Sequence, residues 1–226
     1  MFVVKIAIDG PAGAGKSTIA RLVAQKLGLR YLDTGAMYRA LTLEAAKKGV
    51  PFDEEEALLN VATAMDLEIV FERTTKKNLI YLNGEDVSQL IRQPEITANV
   101  SLVSSHKKVR DYIVALQKEI GKQGSIVMDG RDIGTVVMPD ADWKIFLQAS
   151  VEERARRRQK ELEKNGHPVD IIELEEQLRK RDHFDSTRDN SPLKKSDDAV
   201  EVDTTFLEID EVVEKVLGLI KEDKDV

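Results

Sequence analysis

Val3-Val4-Lys5-Ile6-Ala7-Ile8-Asp9 runs directly into Gly10-Pro11-Ala12-Gly13-Ala14-Gly15-Lys16-Ser17. The first seven residues are mostly apolar and β-branched, as in a buried parallel strand. The next eight fit G-x-x-x-x-G-K-[ST] at every fixed position. Ile19, Leu22, Val23 and Leu27 then recur at helical spacing. Strand, glycine loop and helix in that order make an anion trap. The glycines let the backbone curl until successive N–H groups point into one hollow. A helix starting near Lys16 aims its positive end at the same hollow. Lys16 adds a cation for β- and γ-phosphates, and the Ser17 hydroxyl is placed to ligate Mg2+. Gly10, Pro11, Ala12, Gly13, Ala14, Gly15, Lys16, Ser17 and Thr18 are therefore the expected ATP-binding loop. A turn that merely joins strand to helix would not need this motif in this context.

Composition narrows the rest. The chain has 226 residues, 42% of them hydrophobic, enough for a proper core. Its net charge of -7 gives no overall basic field to attract a polyanion, so a general nucleic-acid binder is not expected. There are no cysteines, hence no disulfide framework and no thiolate metal site. The three histidines suggest no metal cluster. No apolar run approaches the ~20 residues of a membrane span. The apolar start is broken by Lys5 and Asp9 and reads as structure, not as a signal peptide. The expectation is a cytoplasmic protein without a membrane or nucleic-acid partner, acting as a monomer.

Along the chain, strand and helix patterns alternate. Residues 30–32 read as a strand, with Asp33-Thr34-Gly35 as a turn at its C-terminal end. Helices follow over 36–48 and from an Asp53 N-cap, with Glu56 completing a capping box, to about 65. The character then changes. Residues 67–72 and 78–82 read as two strands, linked at 74–77, and Asn83-Gly84 turns the chain into a possible third at 85–88. Helical periodicity resumes at 94–104 and 107–122. Residues 125–128 and 143–147 are strands, 151–165 a highly charged helix, and 170–182 another. A short strand at 199–202 and an amphipathic helix at 209–220 close the pattern, with a charged, frayed tail at 221–226. Such alternation argues for a parallel sheet flanked by helices. Ligands bind at the carboxyl ends of the strands in such sheets. The phosphate loop, Asp33-Thr34-Gly35 and Asp129 to Asp132 all fall there, which points to one shared site.

Phosphoryl transfer needs charge neutralised around the moving group. Arginine suits it, because its fork meets phosphate oxygens bidentately. Arg39, Arg131, Arg154, Arg157, Arg181 and Arg188 lie near candidate loops and helix ends, more than one nucleotide requires. Arg156 and Arg158 read as solvated residues paired with neighbouring glutamates. Asp129 ends an apolar strand, where a carboxylate holds a metal directly or through water. Asp132 has the same options or binds substrate, and Asp9 is either structural or a proton acceptor.

Four segments together carry a resemblance. They are Gly10 to Ser17, Leu32-Asp33-Thr34-Gly35-Ala36-Met37-Tyr38-Arg39, Asp129-Gly130-Arg131-Asp132-Ile133-Gly134-Thr135-Val136-Val137, and Arg181-Asp182-His183-Phe184-Asp185-Ser186-Thr187-Arg188. In these the chain resembles the bacterial cytidylate kinase family. The resemblance implies a P-loop nucleoside monophosphate kinase fold as one unit over 1–226. Its core is expected at about 1–62, 106–150 and 183–226. An antiparallel monophosphate-binding insert is expected at about 63–105 and a helical lid at about 151–182. It implies ATP-dependent phosphorylation of CMP and dCMP with Mg2+. Lys16, Arg131, Asp129 and Arg157 would be catalytic, and Arg154 would bind ATP. Arg39 and Arg131 would hold the acceptor phosphate. Thr34, Ser101, Arg110, Asp132 and Arg188 would surround the cytosine, Arg181 and Asp185 would meet the ribose, and Tyr38 would also bind CMP. Family members often carry serine at position 34; threonine keeps the hydroxyl. The metal would sit on Ser17, with Asp129 behind a water. The nearest rival is another small-molecule P-loop kinase taking UMP, AMP or shikimate. A GTP-dependent switch would need an Asn-Lys-x-Asp guanine-reading motif, which is absent.

Overall fold

Strand β1 (Lys5–Asp9) sits at the centre of the molecule. A computed structural model describes residues 3–72, 77–164, 166 and 168–222. In it β1 pairs in parallel with β6 (Ile126–Gly130) on one side and β7 (Trp143–Gln148) on the other. β2 (Arg30–Asp33) and β8 (Val200–Asp203) form the edges, giving the order β2-β6-β1-β7-β8. Side chains alternate across the sheet. Ile6 and Ile8 face one layer with α1 (Lys16–Leu27) and α8 (Ile209–Glu222). Ala7, Leu32 and Met128 face the other, with α2 (Thr34–Lys47), α3 (Glu55–Ala64), α4 (Pro94–Ser105) and α5 (Lys107–Lys122). Leu41, Leu58 and Ile113 are completely buried in that second layer. Truncating one of them to alanine would cost about 2–5 kcal/mol.

The antiparallel patch forms a separate small sheet of β3 (Leu67–Glu72), β4 (Lys77–Leu82) and β5 (Glu85–Asp86). Asn83 and Gly84 both adopt positive φ, as a tight two-residue hairpin turn requires. Ile80 and Leu82 pack on Ala36, Ala40 and Leu43 of α2, and Asn78 Nδ2 donates to Tyr31 O at 2.9 Å. The patch is thus fastened to the main sheet at the β2 edge. Residues 74–76 of its expected link lie outside the described residues. So do 223–226 of the expected tail, whereas the last helix continues to Glu222.

Three expectations need correcting. Helix α2 begins at Thr34 and not at Ala36, because the Asp33 carboxylate caps it, accepting from Ala36 N at 3.0 Å. The Asp53–Glu56 capping box does not form. Helix α3 starts at Glu55; Glu55 accepts from Lys108 N and Glu56 pairs with the Lys108 ammonium, so both carboxylates tie α3 to α5. Finally, α7 (Ile171–Thr187) runs five residues past Asp182. With α6 (Val151–Lys164) it makes a helical pair with its own apolar cluster of Ala155, Leu162, Leu174 and Leu178, to which Ala12 of the phosphate loop also belongs.

Candidate active site

All five parallel strands deliver their carboxyl ends to one edge of the sheet, and a cleft of about 1830 Å³ opens there. That volume exceeds the roughly 300–1,000 Å³ of a single-ligand pocket. It suits two ligands held end to end. Every expected site residue lines it except Gly10, Pro11 and Arg154. Gly10, at φ +149°, lets β7 approach: a Cβ there would lie 2.0 Å from Leu147 O. Pro11 contributes its carbonyl, which accepts from Lys16 Nζ at 2.6 Å. Arg154 is buried behind the loop and bonded to protein.

At the phosphate loop, Lys16 is buried between the Arg131 and Arg181 cations and the Asp129 and Asp9 carboxylates. Burial, and then the neighbouring Arg131 charge, hold its ammonium well below the usual lysine range. Asp129 lies on the next strand, in register with Asp33. Burial and the Asp33 charge push its carboxyl up to about 7, against the opposing effect of Lys16. Tyr31 Oη donates to Asp129 at 2.7 Å, and Thr34 Oγ1 donates to the Asp129 carbonyl at 2.6 Å. Asp9 proves structural. Its carboxylate accepts from Ile133 N at 2.9 Å and Gly134 N at 2.7 Å, anchoring the π-helical turn Ile133–Val137 that follows Asp132.

The same cleft is lined by a set of guanidiniums. Arg131 Nε donates to Asp185 at 3.0 Å. Arg39 Nη1 donates to Thr97 Oγ1 at 2.6 Å. Burial, then the Arg181 charge, pushes Arg39 down to about 9. Burial, then the Arg131 charge, pushes Arg181 down to about 10, and its buried Nε has no hydrogen-bond partner. Cations crowded like this are relieved by a bound anion. Beyond them Arg110 and Asp132 form a buried pair at 2.5 Å. Arg110 also donates to Ser104 O at 3.0 Å and stacks over the Tyr38 ring at 5.3 Å. Its Nε and the Ser101 Oγ are buried without partners. Arg188 donates to Ser191 O through Nε and Nη2. Against a burial penalty, Arg131, Arg181 and Arg188 together hold Asp185 below the usual carboxylate range.

Sequence reasoning missed three residues. Tyr31 read as strand core, though its hydroxyl reaches Asp129. Arg92 pairs with Asp33 at 3.2 Å and lines the cleft. Arg158, read as a solvated residue, also lines it, at the same helical face as Arg154 one turn earlier. Arg156 is solvated as expected, 65% exposed at the side chain.

The cytidylate kinase family model matches residues 6–222. A cytidylate kinase of Bacillus thuringiensis (strain Al Hakam) is 50% identical over 217 residues, covering 96% of each chain. One of Bacillus cereus (strain AH187) matches with the same identity and coverage. Among solved structures, an uncharacterized protein from Eubacterium ventriosum superposes with a TM-score of 0.51 at 12% identity, over 98% of this chain and 99% of that one. That last likeness speaks for the fold alone. With a phosphate loop facing crowded arginines, and half its residues shared with those kinases along almost its whole length, the chain belongs to the cytidylate kinase family.

Proposed function

We propose that this protein moves the γ-phosphoryl group of ATP onto a phosphate oxygen of CMP or dCMP, leaving ADP and forming CDP or dCDP. The observation that carries the reading is the buried Arg110–Asp132 pair at 2.5 Å, with the unpartnered Arg110 Nε and Ser101 Oγ around it. Unpaired buried polar atoms cost about 1–3 kcal/mol each, and cytosine complements them. Its N4 donates to the second Asp132 oxygen, while N3 and O2 accept from Arg110, Ser101 and Arg188. Uracil turns a carbonyl toward Asp132 instead, at a cost of about 1–3 kcal/mol, or tenfold and more in preference.

Arg39 and Arg131 hold the acceptor phosphate, and Arg181 and Asp185 meet the sugar. Lys16 and the loop amides hold the β- and γ-phosphates. Arg157 lies close to the loop, within 4.0 Å of a Cβ built on Gly15, and supports the transferring group. Charge neutralisation and alignment of donor and acceptor do most of the work in such a reaction.

The donor set fits Mg2+. The Ser17 hydroxyl and the Asp129 carboxylate both line the cleft at the phosphate loop, and Mg2+ is commonly held by one or two such protein oxygens with substrate phosphates and water. Ser17 would ligate it directly, with Asp129 behind a water. When bound, the ion neutralises the β- and γ-phosphate oxygens.

We read residues 63–105 as the monophosphate-binding insert and 151–182 as the lid, with the remainder as core. The protein is proposed to act as a cytoplasmic monomer. Among the described residues no helix is long and apolar enough to cross a membrane. A coupled assay of ADP release with CMP, dCMP, UMP, AMP and shikimate tests the activity. CMP and dCMP should turn over at least tenfold faster, by kcat/KM, than the other three. Preference for UMP, AMP or shikimate would refute it.

A further inference from the structure

The arginines of α6 differ in what holds them. Arg154 is 4% exposed and does not line the cleft. Its Nε donates to Ala149 O at 2.9 Å, and its Nη1 donates to Ala12 O at 2.9 Å and pairs with Asp182 at 2.6 Å. Ala12 belongs to the phosphate loop and Asp182 to α7, so one guanidinium joins the loop to both lid helices. The packing repeats the connection. A Cβ on Gly13 would lie 3.1 Å from Arg154 Cβ, and Ala12 sits in the apolar cluster of Ala155, Leu162, Leu174 and Leu178. Arg157 is held by Glu153 and by the hydroxyl and carbonyl of Thr204. Arg158 lines the cleft and pairs with Glu161 at 2.8 Å, a partner whose side chain is 52% exposed. It is one of the cations that, after burial itself, depress Arg39 and Arg181.

Turning Arg154 into the cleft would strand the buried Ala12 carbonyl contact and the Asp182 carboxylate, 22% exposed at the side chain, and breaking a largely buried pair is unfavourable. Turning Arg158 costs only a half-exposed pair, which contributes little. We infer that Arg154 is a positioning residue that couples the shape of the phosphate loop to the lid, and that Arg158 is an α6 arginine that reaches the reacting phosphates beside Arg157. The second half rests on the proposed phosphoryl transfer; the first does not. The lid then hinges beyond Arg154, so that the base of α6 stays with the loop while the later turns move.

The test combines hydrogen exchange on nucleotide-free protein with steady-state kinetics for Arg154→Gln, Arg154→Lys, Asp182→Asn and Arg158→Gln. Without nucleotide, Arg154→Gln and Asp182→Asn should speed amide exchange over residues 12–15 about tenfold, and Arg158→Gln should leave it unchanged. With ATP and CMP, Arg158→Gln should lower kcat about 100-fold while KM for ATP stays within about threefold. Arg154→Gln should raise KM for ATP, and Arg154→Lys should recover part of the loss, because a lysine amine still reaches Ala12 O. If Arg154→Gln does not fold, Asp182→Asn reads the same coupling with the arginine in place. Unchanged loop exchange in both strut variants would make Arg154 a nucleotide ligand and overturn the first half. Wild-type kcat in Arg158→Gln would overturn the second. An inactive wild-type protein would sink the proposed activity instead, while the exchange measurement would still decide the role of Arg154.

Discussion

Arg110 and Asp132 neutralise each other at the far end of the cleft, and this sets how their variants must be read. Deleting the carboxylate strands a buried guanidinium, so Asp132→Ala would mix lost stability with lost recognition. Asp132→Asn keeps the shape and presents an amide to the base. It should cut the CMP-over-UMP preference about tenfold by kcat/KM; an unchanged ratio would mean that Asp132 does not read the base. At the other end, Lys16→Met removes the cation over the phosphates. Turnover should fall at least 100-fold with the circular dichroism spectrum intact, and near wild-type rates would refute the phosphate-loop role. Asp9 offers a pH test. Burial, opposed by its two backbone N–H bonds, pushes its carboxyl up from 3.8 to about 6. The folded protein therefore holds this proton to a higher pH than the unfolded chain does. The resulting penalty is absent below about pH 4, grows between about 4 and 6, and is constant above. Urea titrations should show Asp9→Asn gaining on wild type by about 2 kcal/mol between pH 4 and pH 7, whatever their absolute difference. A pH-independent difference would place Asp9 in no such environment.

At the scale of elements, β1 and β7 must pass close beside the phosphate loop. A Cβ on Gly10 would lie 2.0 Å from Leu147 O, a backbone atom that has no rotamer to escape through. Gly10→Ala should therefore destabilise the protein by about 2–4 kcal/mol in chemical denaturation, and a neutral effect would show that the strands can part. This contact was invisible in the sequence, which marked the glycine through its motif and not through its neighbour. The strands and helices themselves were legible, because apolar periods of two and 3.6 survive without knowledge of the fold. Ends were harder. Asp33 caps α2 two residues earlier than expected, since Thr34 and Gly35 read equally well as turn. Glu55 and Glu56 serve Lys108, 52 or 53 residues away, and no local pattern announces that. Helix α7 carries Leu174, Leu178 and Asp185 buried, and the polar Asp182-His183 step hid its continuation. The arginines of α6 show the same limit. Sequence gave four neighbouring cations, and only packing separates the buried Arg154 from the cleft-lining Arg158.

The whole molecule brings together a phosphate loop at residues 10–17, arginines from α2, α6, α7 and the loop after β6, and the buried Arg110–Asp132 pair, from α5 and that same loop, proposed to read the base. In the proposed arrangement no single segment holds both nucleotides. Binding both should draw the later turns of α6 and the start of α7 over the cleft, slowing amide exchange across residues 151–180 relative to either nucleotide alone. Equal exchange in all states would mean that the pair does not close. A crystal structure with ADP and CMP bound together tests the arrangement most directly. It should place the guanidiniums of Arg39 and Arg131 within hydrogen-bond reach of the CMP phosphate and that of Arg181 beside its sugar, with cytosine against Arg110 and Asp132. Those guanidiniums turned to solvent, away from the two nucleotides, would contradict it.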